Sequence, residues 1–387
     1  MRTGSLRSWA VSGVLAVLAV APVRAQEPVP LPAAPRAVTP PAFPAVGSSL
    51  PALVTGGSQA APAPGVEPLP QSGPHAAGPV NDHGPGAEAA DEGGYSFHGL
   101  YFTGDYLLLR PRRNAMDYAI ESNNLTQTPG GTVQSADWHT ESGFRFGAGF
   151  RVPGQDWTFG VSWMNFSSHD DATAAAPAGG TLYATLTRGG SFDQVDTASA
   201  FSNLTFNVID LDFSHRTKCS DCFNLTVFGG GRFAWINQEL NATYNGGPDH
   251  ATNDNVSTPV FFNGAGLTIG GQGEWNVWHG VSLYARARGS LLSGQFRDSV
   301  TETTNNNSVV IVNVSEKFDQ IVPVAEMGLG LNYCCEHWHV SIGYELANWF
   351  NMVNSLDFAD ASNIGKPVRR TSDLSLEGLA IQLGLAF

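Results

Sequence analysis

The sequence predicts an all-β fold: a closed antiparallel transmembrane β-barrel of about ten strands, twelve being the alternative, preceded by a disordered Pro-rich segment. Three observations predict it. From Tyr95 onward hydrophobicity alternates with a period of two. The connections between alternating segments are long and short by turns. Ahead of them lies a stretch dense in proline and sparse in charge.

The N-terminus reads as an export signal. Arg2 and Arg7 form a short positive region, and Trp9 to Val20 is an apolar stretch too short to span a membrane. Val23-Arg24-Ala25 offers small residues where a signal peptidase reads, so residues 1–25 are expected to be removed before Gln26. Residues 26–94 hold most of the prolines: 16 of the chain's 24 lie at or before Pro85. Proline removes backbone donors, and the Ala and Gly between offer little to bury, so no core is expected there. This segment is read as a linker, partly polyproline II, that contacts cell-wall material or acts as a spacer. The barrel is assigned to 95–387.

Five segments carry the alternation most cleanly. Phe144, Phe146, Ala148 and Phe150 alternate with Arg145, Gly147, Gly149 and Arg151. Trp157, Phe159, Val161 and Trp163 alternate with Thr158, Gly160 and Ser162. Val281, Leu283, Ala285 and Ala287 alternate with Ser282, Tyr284, Arg286 and Arg288. Trp338, Val340, Ile342, Tyr344 and Leu346 alternate with His339, Ser341, Gly343 and Glu345. Leu379 through Phe387 alternate with Ala380, Gln382, Gly384 and Ala386. Strict alternation places one set on each face of a strand. The polar set suits a wet lumen, and tryptophans near strand ends suit interfacial girdles. Glu377 and Asn165 fall on the apolar parity and are read as rim residues.

Ten strands are expected: 97–110, 142–152, 156–167, 201–214, 223–239, 259–275, 279–297, 318–334, 337–350 and 373–387. Short links fall at Pro153-Gly154-Gln155, around Cys219 to Cys222, at Asn276-Val277-Trp278 and at Cys335-Glu336. Long polar links fall at 111–141, 168–200, 240–258, 298–317 and 351–372. Membrane barrels have short turns at the periplasmic end and longer loops outside, whereas a sandwich has no reason to alternate them. An even strand number returns both termini to the periplasm. Pairing the first strand with the last leaves no open edge in hydrocarbon.

Composition narrows the partners. Charged residues are 14%, against ~25% in soluble domains. A formal net charge of −14 argues against nucleic acid, which wants a basic surface. No apolar run long enough for a transmembrane helix follows the N-terminus. Outer-membrane lipid is the expected surrounding. The terminal strand ending in Phe387 resembles the signal read by the barrel assembly machinery, which makes that machinery a second expected partner.

The candidate site is the lumen. Arg145, Arg151, Arg232, Arg286 and Arg288 are expected to face inward with Asp105, Asp210, Asp212, Glu326 and Glu345. They would either set a constriction and its ion preference or pair off as a plug. Roughly eight strands give a filled interior and roughly sixteen a water channel, so ten sit near the filled end. Strand glycines such as Gly147, Gly149, Gly328 and Gly330 are read as relief for a tightly curved sheet. Cys219 and Cys222 share one short turn, and Cys334 and Cys335 another. A local Cys219–Cys222 disulfide is expected in an oxidising compartment. For Cys334 and Cys335 a vicinal bridge, a link to another chain and free thiols stay open. A zinc site with His337 and His339 would have to span much of the barrel mouth, so no metal is assigned. No cofactor is expected. His169-Asp170-Asp171 is read as a solvated loop, since no nucleophile and orienting partner accompany it.

Gly104-Asp105-Tyr106-Leu107-Leu108-Leu109-Arg110-Pro111 opens the first strand, and Gly143 through Phe150, Phe228 through Ala234, Ala287 through Phe296, Ile342 through Phe350 and Leu376 through Phe387 follow it in order. In these segments, their order and their spacing the chain resembles the Legionella-type pore-forming outer-membrane protein family, which includes planctomycete β-barrel proteins with Pro-rich N-termini. The resemblance implies an outer-membrane location, a porin-like role for small solutes or ions, and no catalytic residues, so the chain is expected not to be an enzyme. One alternative is a plugged structural barrel whose external loops bind ligands and whose tail touches the wall. The other is an outer-membrane enzyme built on a small barrel.

Overall fold

The computed structural model describes residues 99–123, 131–189, 193–335, 337–358 and 367–387. The expected signal peptide, the Pro-rich segment 26–94 and the first few barrel residues lie outside them. The described residues form fifteen β-strands and no helix.

Ten strands close into a ring. In order around it they are β1 (Gly99–Arg113), β4 (Glu141–Arg151), β5 (Trp157–Ala175), β8 (Thr197–Ser220), β9 (Phe223–Gly246), β11 (Val260–Trp278), β12 (Val281–Thr304), β13 (Val309–Cys334), β14 (Trp338–Phe358) and β15 (Pro367–Ala386). Every pairing is antiparallel. β1 pairs with β15 from Tyr101↔Ala386 to Arg113↔Leu374, which closes the sheet on itself. The strand count expected from the sequence is the strand count of the ring. A short extra strand, β10 (Ala251–Ser257), pairs with β9 and β12. It prolongs β11 across Thr258-Pro259, where proline has no N–H to continue the ladder.

The alternation read from the sequence becomes the two faces of the wall. Leu267 and Leu329, 76% and 65% exposed, look outward with Phe146, Phe159, Leu291, Ile342 and Leu383. Aromatic contacts mark both rims of this apolar band. Trp157 stacks on Phe213 at 4.4 Å near the short turns, and Phe144 meets Trp163 edge-on at 5.7 Å near the other rim. Glu377 and Asn165 do sit just past the band. Arg112 reaches Glu377 at 2.5 Å, and Asn165 donates to Asn207 at 2.9 Å.

The strands are longer than the sequence suggested. A strand needs about 9–11 residues to cross hydrocarbon; β8, β9 and β12 have 24 and β13 has 26. On the outer face polar groups take over at Gln295 and Arg297 and at Lys317 and Asp319, so the upper part of the wall stands clear of the membrane. The stretches 240–258 and 298–317 are therefore not irregular loops. They are hairpins that continue the wall to tight turns at 247–250 and 305–308. Asn305, Asn306 and Asn307 turn the second hairpin with φ of 51°, 55° and 65°, which asparagine tolerates. The sequence hid these extensions because the apolar side chains change face there: Leu240, Ala242, Tyr244 and Val300 point inward, where the polar set was expected. One short turn also moves: β11 runs through Trp278, and the reversal falls at His279-Gly280, where Gly280 takes φ 74°.

The links after β1 and β5 build a second sheet from β2 (Asp117–Ser122), β3 (Thr132–Ser135), β6 (Thr181–Ala184) and β7 (Gln194–Val195), in the order β3-β2-β6-β7. Its apolar residues join the interior of the wall. Tyr118, Trp138, Leu182 and Val195 share one buried cluster with Leu107, Phe206, Phe262 and Trp349. The sheet is a plug at the loop end, held in part by Tyr244, whose hydroxyl donates to the Tyr118 carbonyl at 2.6 Å.

Candidate functional site

The inward residues divide the lumen into three levels. The lowest is a vestibule at the turn end, part of a cavity of about 1120 Å³ that continues past the charged side chains to Phe206. Tyr101, Arg151, Arg216, Glu274, Tyr284 and Asn332 are among its lining. Its width depends on glycines in one specific way. Tyr101, Gly149 and Gly160 are register partners on three successive strands, as are Tyr284, Gly330 and Gly343. Each tyrosine ring lies over its glycine pair. A Cβ on Gly149 would stand 2.3 Å from the Tyr101 ring, and one on Gly343 would stand 2.1 Å from the Tyr284 hydroxyl oxygen. The missing side chains let the rings lie against the wall and leave the centre open.

Above the vestibule lies a layer of charge. All ten inward candidates face the lumen, and eight of them make direct ion pairs. Arg145 holds Asp105 at 2.9 Å and Glu345 at 2.7 Å. Arg232 holds Asp210 through two nitrogens, at 2.6 and 2.9 Å, and Glu326 at 2.9 Å. Arg288 holds Asp210 at 2.7 Å and Asp212 at 2.5 Å. Four of these six contacts cross the barrel: β4 to β14, β9 to β13 and β12 to β8 are each three places apart in the ring, while Arg145–Asp105 and Arg232–Asp210 join neighbouring strands. Asp105 also accepts from Gln382 at 2.8 Å, which is 3.1 Å from the His339 imidazole. Burial explains the close pairing, because a desolvated guanidinium without a carboxylate is very costly.

Two candidates stand apart from the ion pairs. Arg286 lies over the Phe228 ring at 5.0 Å, beside Arg288 at 4.8 Å. Arg151 sits lower, in the vestibule. Among the described residues neither has a carboxylate in ion-pair contact.

The third level is apolar. Phe206 on β8 and Trp349 on β14 meet edge-on at 5.3 Å. Their strands lie five places apart in a ring of ten, so this contact spans the full lumen. Phe262 and Phe296 pack at 4.8 Å beside it. Higher still, Arg113 reaches Gln238 at 3.5 Å, and Gln238 donates to the Met352 carbonyl at 3.3 Å. The plug sheet follows. Among the described residues the lumen is open from the turn end through the charged layer and shut at Phe206 and Trp349.

Cys219, Cys222, Cys334 and Cys335 all lie at the turn end and carry no S–S bond in this structure. Cys219 Sγ points back to the Thr217 carbonyl of its own strand, and Asn332 donates to Cys334 Sγ at 3.3 Å. The His139 imidazole pairs with Asp170 at 3.0 Å at the loop end.

Sequence reasoning missed the aromatic closure and three inward acids near the loop end, Asp254, Asp298 and Glu302, each at most 2% exposed. A signal existed for two of them. Phe296, Asp298, Val300 and Glu302 continue the inward parity of β12, but that stretch was read as loop.

No curated protein matches the chain in sequence. Solved outer-membrane barrels resemble it in shape. The outer membrane protease OmpT of Escherichia coli aligns over 77% of this chain and 100% of its own, at 9% identity and a TM-score of 0.42. The toluene transporter TodX of Pseudomonas putida covers 75% of this chain and 90% of its own, at 11% identity and a TM-score of 0.31. The translocator domain of the autotransporter NalP of Neisseria meningitidis covers 76% and 90%, at 13% identity and a TM-score of 0.32. A family profile matches the whole barrel, residues 96–387. The chain is thus an outer-membrane β-barrel protein, and it belongs to the family of the Legionella pneumophila major outer membrane protein precursor.

Proposed function

We propose that the protein is a porin-like channel for small solutes or ions, and that the structure holds it closed. The observation that carries this reading is the vestibule: a charged cavity of about 1120 Å³, open at one end, in a barrel narrow enough to have been filled by side chains. The charged layer would be the constriction, with Arg286 and Arg151 as the cations left over for a passing anion. The two loop segments of the plug belong to links rather than to the wall, so they could move without opening the ring. The turn end, the N-terminal segment and the C-terminus would lie in the periplasm, in keeping with short periplasmic turns. The assembly machinery would read the strand ending at Phe387, and the Pro-rich segment would contact the cell wall. The reading contains no catalytic step.

The apolar level favours a second reading. Phe206, Trp349 and the plug make a dry seal of the kind a purely structural or surface-binding barrel would have.

Planar bilayers separate the two. A channel should give rare, discrete conductance steps in the natural protein. The double variant Phe206→Ala/Trp349→Ala, which removes the contact across the lumen, should conduct at least threefold more. Silence from both proteins, each shown to be folded, would leave the structural barrel.

A further inference from the structure

Two carboxyl groups at the loop end take no part in the three levels of the lumen. Asp254 on β10 and Glu302 on β12 lie on the inner face, above the outward polar belt of Arg297 and Lys317 and so outside the membrane. Val256 pairs with Glu302 and Asn255 with Thr303. Asp254 is therefore a diagonal neighbour of Glu302 on the same face, within reach across two strands. The two residues are 0% and 1% exposed. Both oxygens of Asp254 and Oε1 of Glu302 find no donor among the described residues. The fourth oxygen, Glu302 Oε2, accepts the backbone N–H of Arg188 at 2.8 Å. Arg188 belongs to the plug, in the link between β6 and β7.

Few groups face this pair. Tyr244 comes from β9 with its hydroxyl committed to Tyr118, Arg188 comes from the plug, and each acid faces the other. Burial is the largest influence on both. It raises Asp254 to about 6 and Glu302 to about 7. For Glu302 the Arg188 N–H and charge pull the other way, and Asp254 adds to the rise. A neutral carboxyl can be buried with one donor at modest cost, whereas a carboxylate cannot.

We propose that Asp254 and Glu302 are a proton-operated latch for the plug: while both are protonated the Arg188 segment stays seated on them, and their ionisation drives it off toward water. The latch rests on the reading of the plug as a movable part. The sign follows from the direction of the shifts. The seated form keeps its protons to a higher pH than the released form, so seating is favoured in acid and is lost as pH rises through 6 to 7.

Hydrogen exchange on the full-length protein, folded in lipid vesicles, tests the latch. Rates are followed from pH 5 to pH 8 and corrected for intrinsic exchange. Amides of β2 and β6 should lose protection by at least ~10-fold over that range, one pKa unit of bias being tenfold. Wall amides at 265–272 should not change. Asp254→Asn/Glu302→Gln stays neutral at every pH and should keep the plug protected throughout. Should the double variant not fold, Glu302→Gln alone should at least halve the logarithmic loss. Plug protection that ignores pH in the natural protein, or pH dependence that survives the substitutions, overturns the latch. Conductance is read separately. A plug that releases with pH in a silent bilayer supports the latch and removes the channel. Steps through a barrel whose plug ignores pH overturn the latch and keep the channel.

Discussion

Arg232 shows how much one inward side chain can carry. It is 2% exposed, binds Asp210 and Glu326 together, and lies 5.9 Å from the Trp349 ring. Truncation to Ala would leave Glu326 without its close partner and burden Asp210 with Arg288 alone. Breaking a buried pair by removing one partner costs about 3–5 kcal/mol. Arg232→Ala is expected to lose that much in urea unfolding from vesicles. Arg232→Met with Glu326→Gln should recover part of the loss, because the second change removes the stranded charge. The ten charged candidates were legible in the sequence because period two assigns each to a face without any knowledge of its partners. Who pairs with whom was not legible. Asp210 meets Arg288 three strands away, and that distance is set by ring closure, which no local pattern encodes. The tyrosine and glycine register sets were hidden for the same reason: Tyr284, Gly330 and Gly343 are far apart in the chain and adjacent only in the sheet.

At the scale of elements, the plug is held to the wall by few polar contacts and much apolar area. The Tyr244 hydroxyl is the clearest of the polar ones. Tyr244→Phe keeps the ring in the core and removes one of two donors to the Tyr118 carbonyl, the Thr185 N–H remaining at 3.3 Å, at a cost of about 0.5–1.5 kcal/mol. Amides of β2 should then exchange roughly 2- to 10-fold faster at fixed pH, at 1.4 kcal/mol per tenfold. Wall strands should hold. Unchanged β2 exchange would mean that apolar packing alone seats the plug. The sequence placed the membrane-crossing parts of the strands well, because lipid demands a run of apolar residues on one face. It lost their upper extensions, where the apolar side chains turn inward and Asn, Thr and Ser face out. It also missed the plug strands. β2 and β6 are short, and their partners lie in separate links, so β2 pairs with β6 about sixty residues away.

Among the described residues the barrel is a ring whose lower half encloses a polar cavity and whose upper half is packed like a soluble core. That arrangement makes its stability depend on pH in an unusual direction. Asp298 lies on the inner wall above the membrane, 2% exposed, with both oxygens lacking donors among the described residues. Burial and the nearby Glu316 raise its carboxyl to about 7, against the pull of Arg369 and Arg113. Below pH ~4 the group is neutral whether the chain is folded or not. Between ~4 and 7 the unfolded chain gives up the proton while the folded barrel keeps it, so stability falls as pH rises, and above 7 the loss is complete. Three units would correspond to on the order of 4 kcal/mol, reduced by whatever solvent reaches the site. Ordinary paired carboxylates do the opposite and weaken a protein in acid. Asp298→Asn should therefore stabilise the barrel at pH 8 and leave it nearly unchanged at pH 4. Urea midpoints measured in vesicles at both pH values check this. An Asp298→Asn barrel that is no more stable than the natural one at pH 8 would mean that the carboxylate finds water or a cation when it ionises.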